Sequence, residues 1–290
     1  MIGPLIESLR PKQWSKNLLL FAGLFFSRNV FHLSLVLRVV FGFVLFCLIS
    51  GGVYLFNDLF DLKKDREHPV KSKRPLPSGR LSVSSAIVSS IILIGGGLLL
   101  SFYLKIEFGY FALSYVAINI AYSLILKHIV ILDVILIAFG FVIRAVSGAV
   151  IIGVSISSWL LICTIFLALF LALCKRRHEL VFLGSSAEQH RKILSEYSPE
   201  LLDQMISVVT ASTVMAYALY TMSAETVDKF GTRNLIFTIP FVIYGIFRYL
   251  YLVHQRNLGG SPELILLKDR SMIVNIALFL VVSGLIIYLK

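Results

Sequence analysis

The chain has 290 residues, of which 58% are hydrophobic and only 15% charged, with a mean hydropathy of +0.87. That balance excludes a soluble globular domain and points to an integral membrane protein. The net charge of +11 is not a nucleic-acid signal, because the Lys and Arg residues follow a membrane pattern.

The chain opens with an amphipathic stretch carrying Arg10, Lys12 and Lys16, without the layout of a signal peptide. Trp14 suits an interface anchor. Lys12 and Lys16, one α-helical turn apart and close to Gln13, can flank a phosphate, and an ordinary interface helix explains them equally well. Apolar segments then predict about nine spans of roughly 17–25 residues. They lie near 15–32, 34–56, 83–104, 108–126, 130–152, 156–174, 205–222, 234–253 and 270–289. Lys and Arg concentrate in the loops 57–82, 175–204 and 254–270, which assigns those loops and the N-terminus to the cytoplasm. The expected fold is an all-α integral membrane bundle, a single domain over 1–290. Cys47, Cys163 and Cys174 sit in apolar segments, show no metal or disulfide spacing, and read as packing residues.

The second span runs into Asn57-Asp-Leu-Phe-Asp-Leu-Lys-Lys-Asp-Arg66. On a helix, Asp58, Asp61 and Asp65 fall within a sector of about 60°. Like charges one turn apart repel, so a compensating charge is expected. Mg²⁺ is the simplest, since it takes hard oxygens, often one or two carboxylates plus substrate phosphates. A solvated acidic turn balanced by neighbouring Lys and Arg is the alternative. Lys71, Lys73 and Arg74 follow and suit phosphate contacts or lipid headgroups. In the fifth span Asp133 and Arg144 lie about three turns apart on one face. An arginine at that depth faces a polar cavity or a partner, and Gly140 and Gly148 give it a small-residue face for close approach. Lys175-Arg-Arg-His-Glu179 follows the sixth span. Its cations, with one carboxylate, suit an anion better than a second metal, or form a snorkelling belt.

At Asn57 to Arg66 the chain resembles the UbiA superfamily of intramembrane prenyltransferases, whose first aspartate-rich motif, N-D-x-x-D-x-x-x-D, it matches in full. The resemblance covers essentially the whole chain. Arg10-Pro-Lys-Gln-Trp-Ser-Lys-Asn17, Asp65-Arg-Glu-His-Pro69, Lys73-Arg-Pro75, Arg144-Ala145, Lys175-Arg-Arg-His-Glu-Leu180 and Gly260-Ser-Pro-Glu263 are similar to one branch of it. That branch uses phosphoribosyl diphosphate as donor and a polyprenyl (decaprenyl-like) phosphate as acceptor. The family's usual second motif, D-x-x-x-D, is replaced here by Lys175 to Glu179, with Glu179 as its only carboxylate. The departure weakens the case for a second metal and for a prenyl diphosphate donor.

The resemblance implies Mg²⁺ on Asp58, Asp61 and Asp65. Lys12, Gln13, Lys16 and Arg144 are expected to hold the lipid phosphate and Arg74, Lys175 and Arg176 the donor phosphates, with Asn57, Arg66, Lys73 and Glu179 as further substrate-binding residues. The implied activity is pentosyl transfer, a glycosyltransferase reaction releasing diphosphate, in the synthesis of cell-envelope glycolipid precursors at the cytoplasmic side of the cell membrane. The rival within the superfamily is prenyl transfer to an aromatic or other lipophilic acceptor. A rival from another class is a transporter with Asp133 and Arg144 in its pathway. Prenyl chain length is not legible, and homo-oligomerisation stays open because no interface can be read.

Overall fold

A computed structural model of the chain describes residues 2–183, 192–256, 258–260 and 262–289. Among them every regular element is helical. The α-helices are α1 (Ile2–Ser8), α2 (Phe21–Phe26), α3 (Leu33–Phe60), α4 (Leu62–Glu67), α5 (Val83–Leu104), α6 (Ile106–Leu124), α7 (Leu132–Ile152) and α8 (Ser158–Leu183). They continue as α9 (Pro199–Met222), α10 (Ala224–Phe230), α11 (Ile239–Arg256), α12 (Pro262–Lys268) and α13 (Arg270–Tyr288). Local chemistry sets many of the starts. Ser82, Ser198 and Asp269 each precede a long helix and accept a hydrogen bond from the backbone N–H three residues on. Such caps satisfy donors that the first turn leaves orphaned.

Seven helices among the described residues are long and apolar enough to cross a membrane: α3, α5, α7, α8, α9, the stretch Asn234–Arg256 that ends in α11, and α13. The protein is an integral membrane protein. This is short of the nine spans expected, and the two shortfalls have different causes. Most of 108–126 does lie in one helix, α6, about 28 Å long at 1.5 Å per residue. Glu107, Asn119 and several tyrosines dilute its hydropathy. Residues 15–32 do not form a single α-helix. They divide between a 3₁₀ segment, Pro11–Leu20, and the short α2.

The chain folds into two compact units. The first comprises Met1–Leu24, Asn29–Leu136 and Ile143–Val154. In it α3 packs against α5, α6 and the 3₁₀ segment, around buried Leu20, Phe46, Ile49, Phe108 and Tyr115. Gly148 of α7 explains how the 3₁₀ segment comes so close. A Cβ there would fall 1.9 Å from the Leu20 carbonyl oxygen. The close approach expected of this small-residue face is therefore present at Gly148, and the neighbour is backbone. The second unit comprises Phe25–Arg28, Ile137–Val142 and Ser155–Lys290. There α9 packs against α8 and α11, and α13 against α11. Tyr217, Tyr220, Phe230, Leu235 and Ile287 form its core.

Candidate active site

The aspartate run lies where α3 ends and α4 begins. Asp61 leaves helical geometry at φ −89° and ψ 5°, yet the Asp65 N–H still bonds the Asp61 carbonyl at 2.8 Å. The small break redistributes the expected three-carboxylate face. Asp58 Oδ1 and Asp65 Oδ2 both accept from one nitrogen, Arg74 Nη1, each at 3.1 Å. Asp58 Oδ1 also accepts from Arg10 Nη2, and Lys71 Nζ stands 3.4 Å from Asp65 Oδ1. Asp61 instead accepts from Lys127 Nζ at 2.8 Å. Among the described residues no three His, Cys, Asp or Glu side chains gather closely enough to hold a metal ion. Of the expected ligands Asp58, Asp61 and Asp65, the pair Asp58 and Asp65 converges on one cation, Arg74. Both are buried, at 2% exposure each.

Asn57 precedes the run and accepts from Ser123 Oγ of α6 at 2.9 Å, tying the end of α3 to its neighbour. Arg66 and Lys73 are exposed, and the Lys73 carbonyl accepts from Arg80 at 2.9 Å. Arg74 stands in a fixed turn. Its N–H bonds the Lys71 carbonyl at 3.0 Å, its carbonyl accepts from the Ser78 N–H at 3.0 Å, and Pro75, Leu76 and Pro77 after it are buried. Burial, and then the neighbouring Arg10 guanidinium, press the Arg74 pKa below its ordinary value, while Asp58 and Asp65 pull it back. A guanidinium remains charged throughout.

Arg10 was visible only as one N-terminal cation among several. Its backbone is left-handed, φ 53° and ψ 62°, directly before Pro11. A non-glycine residue there is strained, and such strain persists where the surroundings over-determine it. Here the guanidinium reaches Asp58 and lies over the Tyr54 ring, 4.9 Å from its centroid. Lys127 was legible only as a loop cation, because its partner Asp61 lies far away in sequence.

The other expected residues fall elsewhere. In the 3₁₀ segment, residues three apart share a face. Lys16 accordingly donates to Gln13 Oε1 at 3.2 Å, and Lys12 is exposed on another side. The expectation that Lys12 and Lys16 are co-facial is corrected by that change of period. Arg144 is 4% exposed. Its Nε donates to Asn17 Oδ1 at 2.7 Å and its Nη2 to the Tyr115 hydroxyl at 2.8 Å. Asn17 in turn donates to Ser50 and Cys47 at 3.3 Å each. Arg144 therefore has the polar partner expected for its depth, in a network joining the 3₁₀ segment, α3, α6 and α7. Asp133 is fully buried.

In the second unit, Arg176 Nη1 donates to Glu179 Oε2 at 2.5 Å, so the one carboxylate of that cluster is held by its own arginine. Arg177 reaches Asp203 of α9 through two bonds, 2.5 and 3.1 Å, and His254 Nε2 lies 3.2 Å from the same carboxylate. Asp203 was missed because it reads as a polar boundary of the seventh span. Lys175 is half-buried. His178 stacks on Phe182, and Gly260 lies against it so closely that a Cβ would come within 2.7 Å of the ring. Of the Gly260 to Glu263 stretch, Ser261 lies outside the described residues.

Among the described residues, then, an all-helical membrane protein carries a buried carboxylate pair set among cations. Residues 18–268 match the UbiA prenyltransferase family, and the chain belongs to that family. It is 33% identical over 272 residues to a decaprenyl-phosphate phosphoribosyltransferase of Corynebacterium glutamicum, covering 92% of this chain and 81% of that protein. It is 30% identical over 278 residues to the protein of the same name from Mycobacterium tuberculosis, covering 93% and 89%. Its fold matches that of a UbiA homologue from Archaeoglobus fulgidus bound to GPP and Mg²⁺. That match has a TM-score of 0.73 at 22% identity, over 98% of this chain and 99% of that one.

Proposed function

We propose that the protein transfers the 5-phosphoribosyl group of phosphoribosyl diphosphate to a polyprenyl phosphate, releasing diphosphate. The observation that carries this reading is the excess of cations around the carboxylate pair. Arg10, Lys71 and Arg74 all contact Asp58 or Asp65, and Glu179, in the position of the family's second acidic motif, is taken up by Arg176. A donor with a diphosphate and a further 5-phosphate, meeting an anionic lipid, needs more positive than negative groups. Relatives similar over nine-tenths of the chain carry a name with the same donor group and acceptor, which supports the choice.

The convergence of two carboxylate oxygens on the one nitrogen of Arg74 fits a divalent cation held by Asp58 and Asp65, with the remaining ligands from substrate oxygens and water. Bound there, Mg²⁺ supplies Lewis-acid stabilisation of the departing diphosphate. By their motifs, Arg74 in the first unit and Lys175 and Arg176 in the second are each assigned to phosphate, with Asn57, Arg66, Lys73 and Glu179 as substrate contacts. Lys12, Gln13 and Lys16 are assigned to the lipid phosphate, and Arg144 to shaping that region through Asn17. The bond from ribose C1 to the diphosphate oxygen breaks as a lipid phosphate oxygen bonds C1. That oxygen is already ionised near neutrality, so the chain needs no general base. The reaction is a pentosyl transfer, placed at the cytoplasmic loops. The GPP-bound fold relative favours a second reading, prenyl transfer to a lipophilic acceptor. Purified protein offered labelled phosphoribosyl diphosphate and labelled geranyl diphosphate in parallel, with decaprenyl phosphate, decides between them. Label entering lipid from the first is expected, and label entering only from the second overturns the proposal.

A further inference from the structure

We infer that Arg74 is the resident counter-ion of the carboxylate pair, and that it makes metal binding depend on the diphosphate that arrives with it. The inference rests on the reading of Asp58 and Asp65 as metal ligands. Arg74 Nη1 stands 3.1 Å from an oxygen of each aspartate, the position a bridging cation takes. A dication and a guanidinium cannot hold the same pair of oxygens, because like charges at such range repel strongly at any effective dielectric of a protein. The surroundings are cationic as well. Arg10 bonds Asp58, Lys71 approaches Asp65 at 3.4 Å, and with Arg74 these cations outnumber the carboxylates. A bare dication is therefore opposed by charge and by an occupied site. A dication carried on a diphosphate brings the negative charge that removes both obstacles and gives the displaced guanidinium an anion to bind, a bidentate match.

The local geometry allows the exchange. The backbone around Arg74 is tied at both ends of its turn and backed by buried Pro75, Leu76 and Pro77. The movement thus belongs to the side chain, which is 32% exposed. Arg10, on the same Asp58 oxygen, and Lys71, on the other Asp65 oxygen, keep a cation on each carboxylate when Arg74 leaves. The consequence is synergy. Metal alone binds poorly, and diphosphate alone meets guanidiniums already committed to aspartates.

Mn²⁺ binding to the purified full chain in detergent, read from the EPR signal of free Mn²⁺ with inorganic diphosphate present or absent, tests this. Asp58→Asn protein defines the background. The wild type is expected to bind Mn²⁺ at least about tenfold more tightly with diphosphate, and Arg74→Gln to bind Mn²⁺ alone about tenfold more tightly than the wild type, a difference of roughly 1.4 kcal/mol. Arg74→Lys, with a point charge in place of the fork, should fall between them, and a thermal melt of each variant checks its fold. Equal or weaker Mn²⁺ binding by a folded Arg74→Gln, indifference of the wild type to diphosphate, or no specific Mn²⁺ binding by either protein overturns the inference. Diphosphate is common to both donors. A protein that passes this test but labels lipid only from geranyl diphosphate loses the donor assignment and keeps this one.

Discussion

Asp58 accepts from two guanidiniums while 2% exposed, whereas Asp61 pairs with Lys127 and is 22% exposed at its side chain. The two aspartates should therefore behave differently when neutralised. Asp58→Asn and Asp65→Asn are expected to lower kcat/KM by at least about 100-fold, the scale of losing charge stabilisation at a transition state. Asp61→Asn should cost about tenfold less than either, and about 1 kcal/mol or less of stability, as for a partly exposed pair. Steady-state rates of the three variants rank them, and an Asp61 effect as large as that of Asp58 restores the three-ligand set. Arg144 calls for a different readout. Its bonds to Asn17 and Tyr115 are buried, so Arg144→Met should lower stability by about 3 kcal/mol, visible as a lower melting temperature in detergent. A raised KM for the lipid phosphate with unchanged melting would instead make it a direct substrate contact. At Asp269, two bonds from Arg248, at 3.1 and 2.8 Å, hold the carboxyl below the usual carboxylate range. A depressed pKa contributes stability above the unfolded value and loses it as pH falls through the folded one. Acidification below about pH 4 should therefore destabilise the wild type, and a pH series of melts should show Asp269→Asn flatter across that window.

Among the elements, the 3₁₀ segment Pro11–Leu20 is where sequence reading was least informative. Its residues look like an amphipathic α-helix running into a span. What replaces that helix is contact with α7, where Gly148 admits the Leu20 carbonyl, a constraint no local pattern carries. Gly148→Ala should destabilise the first unit by about 3 kcal/mol, the upper end for overpacking, because the obstacle is backbone and cannot rotate aside. A melting temperature within a degree of the wild type contradicts that packing. By contrast, the aspartate run was legible at once, since α3 carries past the apolar run into Asn57–Phe60 and leaves helical geometry only at Asp61. Its ionic partners were not. Arg10 and Lys127 are distant in sequence from Asp58 and Asp61, and charge alone does not say which cation meets which carboxylate.

For the whole molecule, hydropathy is enough to recognise an all-α membrane protein, because each span must satisfy its own backbone in lipid. It does not show that 15–32 divides between a 3₁₀ segment and a short α-helix, and it does not rank α6, whose tyrosines and Asn119 offset its length. The family was legible from the aspartate motif. Glu179 is paired with Arg176. The proposed reaction breaks the bond from ribose C1 to diphosphate and hands the ribosyl group to a lipid phosphate. The most direct measurement uses phosphoribosyl diphosphate labelled in its 5-phosphate, decaprenyl phosphate and purified protein, with lipid-borne label and released diphosphate counted together. The expected result is label retained in the lipid with diphosphate released one for one, only with Mg²⁺ present and not with Asp58→Asn. Diphosphate release without label in the lipid, or labelling unaffected by removing Mg²⁺, contradicts it.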